Sequence, residues 1–183
     1  MLVFLDFEAS SLSERSYPVE VAWVFEDGRG ESHLIRPAPG WHDWDPRAEA
    51  IHGIARERLE REGMPHDAVA QHMMEQLAGH DLRASAPSWD GKWMSVLLRG
   101  AGLPRHGLRL ADSDDALVDT ARAILLERLG DAAAERLARD LVAQVEHRHA
   151  RQTPVHRALA DARAEHALWR AVREAALAYA RDD

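Results

Sequence analysis

The stretch LVFLDFEASSL, from Leu2 to Leu12, decides how the rest of the chain is read. Leu2–Phe7 is apolar on both faces, the pattern of a strand central in a sheet. Asp6 and Glu8 stand at its end, one residue apart. Residues i and i+2 of a strand share a face, so the two carboxylates project side by side. Such a pair repels itself and burial raises the cost, a penalty that a divalent cation removes. Oxygen ligands of this type suit Mg²⁺ or Mn²⁺. The carboxyl end of a strand is also where open α/β sheets place their sites. Taken alone, D-x-E is common and reads better as a strand that stops at Asp6 with both acids in solvent.

Working outward, Glu20–Phe25 reads as a second strand and Ser32–Arg36 as a third, joined by Asp27-Gly28, a hairpin turn signal. Pro46–Ala50 suits a short helix, His66–Leu77 a longer one, Leu82–Ala86 a strand, Gly91–Leu98 a helix and Leu108–Leu110 another strand. Helical segments follow at Asp114–Leu129, Ala132–His149 and Val155–Ala178, the last with Thr153-Pro154 as its start signal. The order predicts an α/β domain: a mixed sheet of a three-strand meander plus two parallel strands, flanked by helices.

Two further segments change the weight of the first. SWDGKWMSVLL places Asp90 after a short strand and ahead of a helix-like run. TPVHRALADARAEHALW places His156 five residues before Asp161, at the start of the last helix. Separately, Asp90 reads as an ordinary acid at a helix N-terminus, His156 as a surface histidine and Asp161 as a solvated helix acid. Together with Asp6 and Glu8 they make a pattern those readings do not explain.

D-x-E, then D, then H-x4-D, in this order and at these distances, resembles the DEDDh group of DnaQ-like 3′→5′ exonucleases. IHGI at Ile51–Ile54, WDGKWM at Trp89–Met94, Asp119-Thr120 and HRALADA at His156–Ala162 resemble further elements of that family. The likeness runs from about residue 2 to about residue 170. It implies a ribonuclease-H-like fold and two Mg²⁺ or Mn²⁺ ions held by Asp6, Glu8, Asp90 and Asp161. It implies His156 as general base, and hydrolysis of DNA or RNA from a free, unpaired 3′ end with release of nucleoside 5′-monophosphates. On the same resemblance His52, Phe7, Ala9 and Trp93 are candidate substrate contacts. Phe7 stands where the family often has threonine, Ala9 and Ser11 where threonine and glycine are frequent, and Ala86 where asparagine is common. These departures leave the acids intact and alter how a terminal nucleotide is gripped. An oligoribonuclease-type enzyme on the same scaffold is one alternative. A silent domain that binds nucleic acid or a polymerase-like or repair partner is another.

The remaining features fit this frame. The chain has 183 residues, 46% hydrophobic and 30% charged, which suits a single domain spanning residues 1–183. It has no cysteine, hence no disulfide or thiolate zinc site. No apolar stretch approaches the ~18 residues of a membrane span, so a cytoplasmic protein is expected. The net charge of −8 excludes a general nucleic-acid coat but not an enzyme that meets phosphate through cations. Trp41 and Trp44, in a loop, are candidate base-stacking residues, whereas Trp89 and Trp93 read as core. Arg148, Arg151, Arg157 and Arg163 gather around the last motif and read first as a solvated helix face. His147, His149 and His156 lack a zinc-site pattern, and no phosphate-binding P-loop is present.

Overall fold

A computed structural model describes residues 1–149 and 155–181. The expected meander forms first: β1 (Leu2–Ala9), β2 (Pro18–Phe25) and β3 (Gly30–Arg36) pair antiparallel in succession. The Asp27-Gly28 turn closes with Gly28 at φ 90°, a conformation glycine adopts without steric cost. β1 does not stop at Asp6. It pairs with β2 as far as Ala9, with a register irregularity between Glu8 and Ala9.

Three short helices or turns of helix and a strand follow: α1 (Pro46–His52), α2 (Arg56–Glu62), β4 (Met64–Pro65) and α3 (His66–Leu77). Then come β5 (Asp81–Ala84), α4 (Pro87–Gly100), β6 (Leu110–Asp112), α5 (Ser113–Leu126), α6 (Asp131–His149) and α7 (Ala158–Arg181). β5 and β6 lie parallel to β1, so the sheet runs β4-β3-β2-β1-β5-β6 with β1 inside it.

The sheet separates two cores. Val3, Leu5 and Phe7 of β1 and Trp23 of β2 pack against Val69 and Met73 of α3 and Leu97 of α4. Phe4 points the other way, into a core made with Leu117, Val142, Trp169 and Val172 of α5, α6 and α7. Strand alternation then puts Asp6 and Glu8 on the α7 side, directly beyond Phe4.

Several expected bounds shift, for local reasons. The sheet has six strands rather than five because Met64–Pro65 adds a two-residue parallel pairing to β3. α2 was not expected: RERLERE buries only Leu59, too little for a hydrophobic period to register. The expected strand Leu82–Ala86 ends at Ala84, because α4 already opens at Pro87, with proline at its first position. The expected strand Leu108–Leu110 is displaced to Leu110–Asp112, and Leu108 is core instead. α7 opens at Ala158, not Val155, so His156 precedes the helix; Thr153-Pro154 lies outside the described residues.

Candidate active site

β1 delivers Asp6 and Glu8 from the sheet, and the first turn of α7 delivers Asp161. One carboxylate oxygen from each of the three lies within 4.8 Å of the others. Asp161 also accepts the Val155 N–H through Oδ1, at 3.3 Å. Asp90 arrives from the first turn of α4 and is 2% exposed. β5 pairs with β1 only as far as Phe4, and beyond that point Asp90 Oδ1 accepts the buried Phe7 N–H at 3.2 Å. The amide between the two β1 acids is thus satisfied by the fourth acid. Asp90 Oδ2 is also buried and has no hydrogen-bond partner.

The electrostatics follow from this crowding. Burial, then the charges of Asp90, Glu8, Asp161 and Glu165, pushes the Asp6 carboxyl up to about 9. Burial, Asp161 and Glu20 push Glu8 up to about 7, against a counter-pull from Arg157. Burial pushes Asp90 up to about 7, although the Phe7 N–H favours its charged form. Acids in this state either stay protonated near neutral pH or meet a cation. The all-oxygen donor set, with one buried carboxylate oxygen unpartnered, fits a hard divalent ion such as Mg²⁺ or Mn²⁺.

Two acids of this neighbourhood escaped the sequence reading. Glu20 faces Glu8 across the β1–β2 pair and is 2% exposed. It accepts two hydrogen bonds from the Arg157 guanidinium, at 3.0 and 2.7 Å, and a third from the Ala158 N–H at 3.1 Å. It therefore anchors the N-terminus of α7 to the sheet. The available signal was a lone charge inside the apolar run PVEVAWVF. Glu165, one turn beyond Asp161, accepts the hydroxyl of buried Ser113 at 2.7 Å, and burial raises its pKa.

His156 is exposed, five residues before Asp161, with its backbone in the left-handed region at φ 54°. His52 ends α1, which Gly53 terminates at φ 68°. It is 3% exposed; its Nδ1 accepts the Ile54 N–H at 3.0 Å, while the buried Nε2 has no partner. Its surroundings include the Ala9 backbone and Glu20, which places it at the acid end of β1. Burial lowers its pKa. Phe7 and Ala9 bury their side chains on the α3–α4 face of the sheet, away from the acids. Trp93 is likewise buried and donates its indole N–H to Ser16 Oγ at 3.0 Å.

The other aromatic and basic candidates sort differently from expectation. Trp89, expected in the core, is 39% exposed, stacked on Trp93 and topped by the Lys92 ammonium. Trp41 and Trp44 are half-buried and each engages neighbouring rings: Trp41 stacks on Tyr17, and Trp44 packs against Tyr17 and His52. Arg157 is committed to Glu20, Arg148 donates to the Gln144 carbonyl, and Arg151 lies outside the described residues. Asp119-Thr120 falls within α5, where Asp119 is exposed and Thr120 accepts the Trp169 N–H. Among the described residues His147, His149 and His156 form no metal-binding group, and no helix is long and apolar enough to cross a membrane.

No protein-family profile and no curated protein sequence matches the chain. Solved structures do. Exonuclease I from Methylocaldum szegediense, a moderately thermophilic enzyme, superposes with a TM-score of 0.65 at 23% identity, over 94% of this chain and 40% of that one. The zinc-ion-bound Escherichia coli exonuclease I–single-stranded DNA complex superposes with a TM-score of 0.64 at 18% identity, over 97% of this chain and 42% of that one. E. coli exonuclease I with a dT13 oligonucleotide gives a TM-score of 0.64 at 17% identity, over 97% and 42%. The chain therefore has the ribonuclease-H-like fold seen in these exonuclease I structures, and it spans about two fifths of their length. The alternative of a polymerase-like partner gains no support from them.

Proposed function

We propose that the chain is a metal-dependent 3′→5′ exonuclease acting on an unpaired 3′ end, with single-stranded DNA as its first substrate class. The observation that carries this reading is the buried, unpartnered Asp90 Oδ2 beside the converging carboxylates of Asp6, Glu8 and Asp161. The shared fold with enzymes solved on single-stranded DNA supports the direction and substrate.

In this reading Asp6, Glu8, Asp90 and Asp161 would hold two divalent ions, Mg²⁺ or Mn²⁺. When bound, such ions stabilise the charge on the entering and leaving oxygens of an in-line phosphoryl displacement. His156 takes a proton from the attacking water through an imidazole nitrogen, the general-base work for which histidine is the commonest side chain. The water oxygen bonds to phosphorus, the bond from phosphorus to the 3′ oxygen of the preceding nucleotide breaks, and that oxygen leaves with a proton from solvent. The products are a nucleoside 5′-monophosphate and a strand shorter by one. Glu20 positions Arg157 and the start of α7, and through them His156 and Asp161. His52 lies buried at the acid end of β1 and would back the surface that meets the terminal nucleotide, while Phe7 and Ala9, whose side chains face the other way, would contribute only backbone there. Trp93 acts from beneath, supporting Trp89, whose exposed ring is open to a base.

The test is a time course on 5′-labelled single-stranded DNA and RNA with Mg²⁺, Mn²⁺ or EDTA, beside the Asp6→Ala protein. A metal-dependent ladder shortening from the 3′ end, lost in the variant, is the expected result. RNA shortened faster than DNA would move the assignment to an oligoribonuclease-type enzyme. A folded protein that shortens neither strand would refute the proposal.

A further inference from the structure

The sheet carries another group of metal-ligand type on its opposite face. Glu31 and His33 are i and i+2 on β3, so their side chains share the face turned to α3. α3 brings His72 over them. Glu31 Oε2 lies 3.0 Å from His33 Nε2 and 2.9 Å from His72 Nε2. The three candidate ligand atoms all lie within 4.8 Å of one another.

We propose that Glu31, His33 and His72 bind a borderline transition-metal ion, Zn²⁺ in the first instance, at a site separate from the carboxylate cluster. The donor set is the first argument. Two imidazoles and one carboxylate match zinc sites that keep a coordination position open, and imidazole selects against Mg²⁺. The spacing is the second. Ligands about 2.0–2.1 Å from a tetrahedral ion stand roughly 3.3 Å apart, so the observed 2.9–3.0 Å separations need only a small expansion. Pre-organisation is the third. Trp23 packs against both imidazoles, at 5.3 and 5.7 Å between ring centroids, and the imidazoles meet edge to face at 5.2 Å. The side chains of His33, His72 and Glu31 are 15%, 32% and 36% exposed, which leaves an entry path and room for a water in the open position.

The competing account is a plain hydrogen-bonded triad, with both Nε2 atoms protonated and sharing one carboxylate oxygen. Zinc calorimetry separates the two, run on the Asp6→Asn protein so that the carboxylate cluster is weakened. Co²⁺ serves as a second probe, because a low-coordinate site gives it a visible absorption spectrum. One equivalent of Zn²⁺ bound by Asp6→Asn is expected, undisturbed by excess Mg²⁺. Adding His72→Ala or the near-isosteric Glu31→Gln is expected to weaken it at least tenfold and to abolish the Co²⁺ spectrum. Absence of Zn²⁺ binding in folded Asp6→Asn would overturn the proposal. So would Zn²⁺ binding that is unchanged in both added variants. This site does not depend on the exonuclease reading, and either can fail without the other.

Discussion

At the scale of single residues, the acids and their neighbours divide into groups with a proposed chemical role and groups that hold them in place. His156 is exposed and precedes α7, so its removal leaves the carboxylates where they are. His156→Ala is expected to lower the turnover rate by on the order of 10²–10⁴, the usual size of a general-base contribution, with divalent-ion affinity retained. Single-turnover kinetics beside a metal titration checks both halves; a loss of only a few-fold would remove the histidine from that role. Arg157 is different. Removing it strands Glu20, which is 2% exposed and keeps only the Ala158 N–H. Breaking a buried ion pair from one side costs about 3–5 kcal/mol, and the partly exposed arginine puts Arg157→Ala at the low end of that range. Urea unfolding measures this, and Arg157→Lys, which keeps charge but loses the two-pronged geometry, is expected to recover only part of it.

At the scale of elements, the sequence revealed those parts whose signals are local. The β1–β3 meander, the bounds of α3 at His66–Leu77, and the four acids on β1, α4 and α7 were all legible from periodicity, turn chemistry and motif order. What escaped depends on contacts distant along the chain. Glu20 is a lone acid in a strand until Arg157 meets it across the fold, and Trp89 and Trp93 look alike until α4 docks and buries only one of them. α2 and β4 are too short to show a period of their own, and they are fixed by a close approach instead. At Gly63 an added Cβ would stand 2.4 Å from the Leu59 carbonyl oxygen and 2.6 Å from the Arg36 amide nitrogen, both backbone atoms unable to swing aside. Gly63→Ala is therefore expected to destabilise the protein by about 2 kcal/mol or more, through displaced backbone between α2 and β3. A denaturation midpoint equal to wild type would show that this connection yields easily.

At the scale of the whole molecule, the raised acids couple stability to pH and to cations. Asp6, Glu8 and Asp90 hold protons more tightly folded than unfolded, with folded values of about 9, 7 and 7 against ordinary values near 4. Their contribution to stability is thus complete below about pH 4 and is lost as pH rises through 7 and then 9. In EDTA the wild-type melting temperature is expected to fall relative to Asp6→Asn between pH 5 and pH 9. Saturating Mg²⁺ is expected to narrow that difference, because an ion bound only by the folded state adds stability by mass action. A melting-temperature difference that is constant across this range would mean the acids are not buried as described.

The Glu20 clamp has a mechanical consequence. It fixes both the Arg157 side chain and the Ala158 amide against the sheet, and His156 is the very next residue back along the chain. Consecutive Cα atoms keep a spacing of about 3.8 Å, so the His156 Cα can only swing on an arc of that radius about Arg157. The imidazole behaves as a short lever on a fixed fulcrum. Its reach is set by a few bond rotations counted from the clamped Arg157.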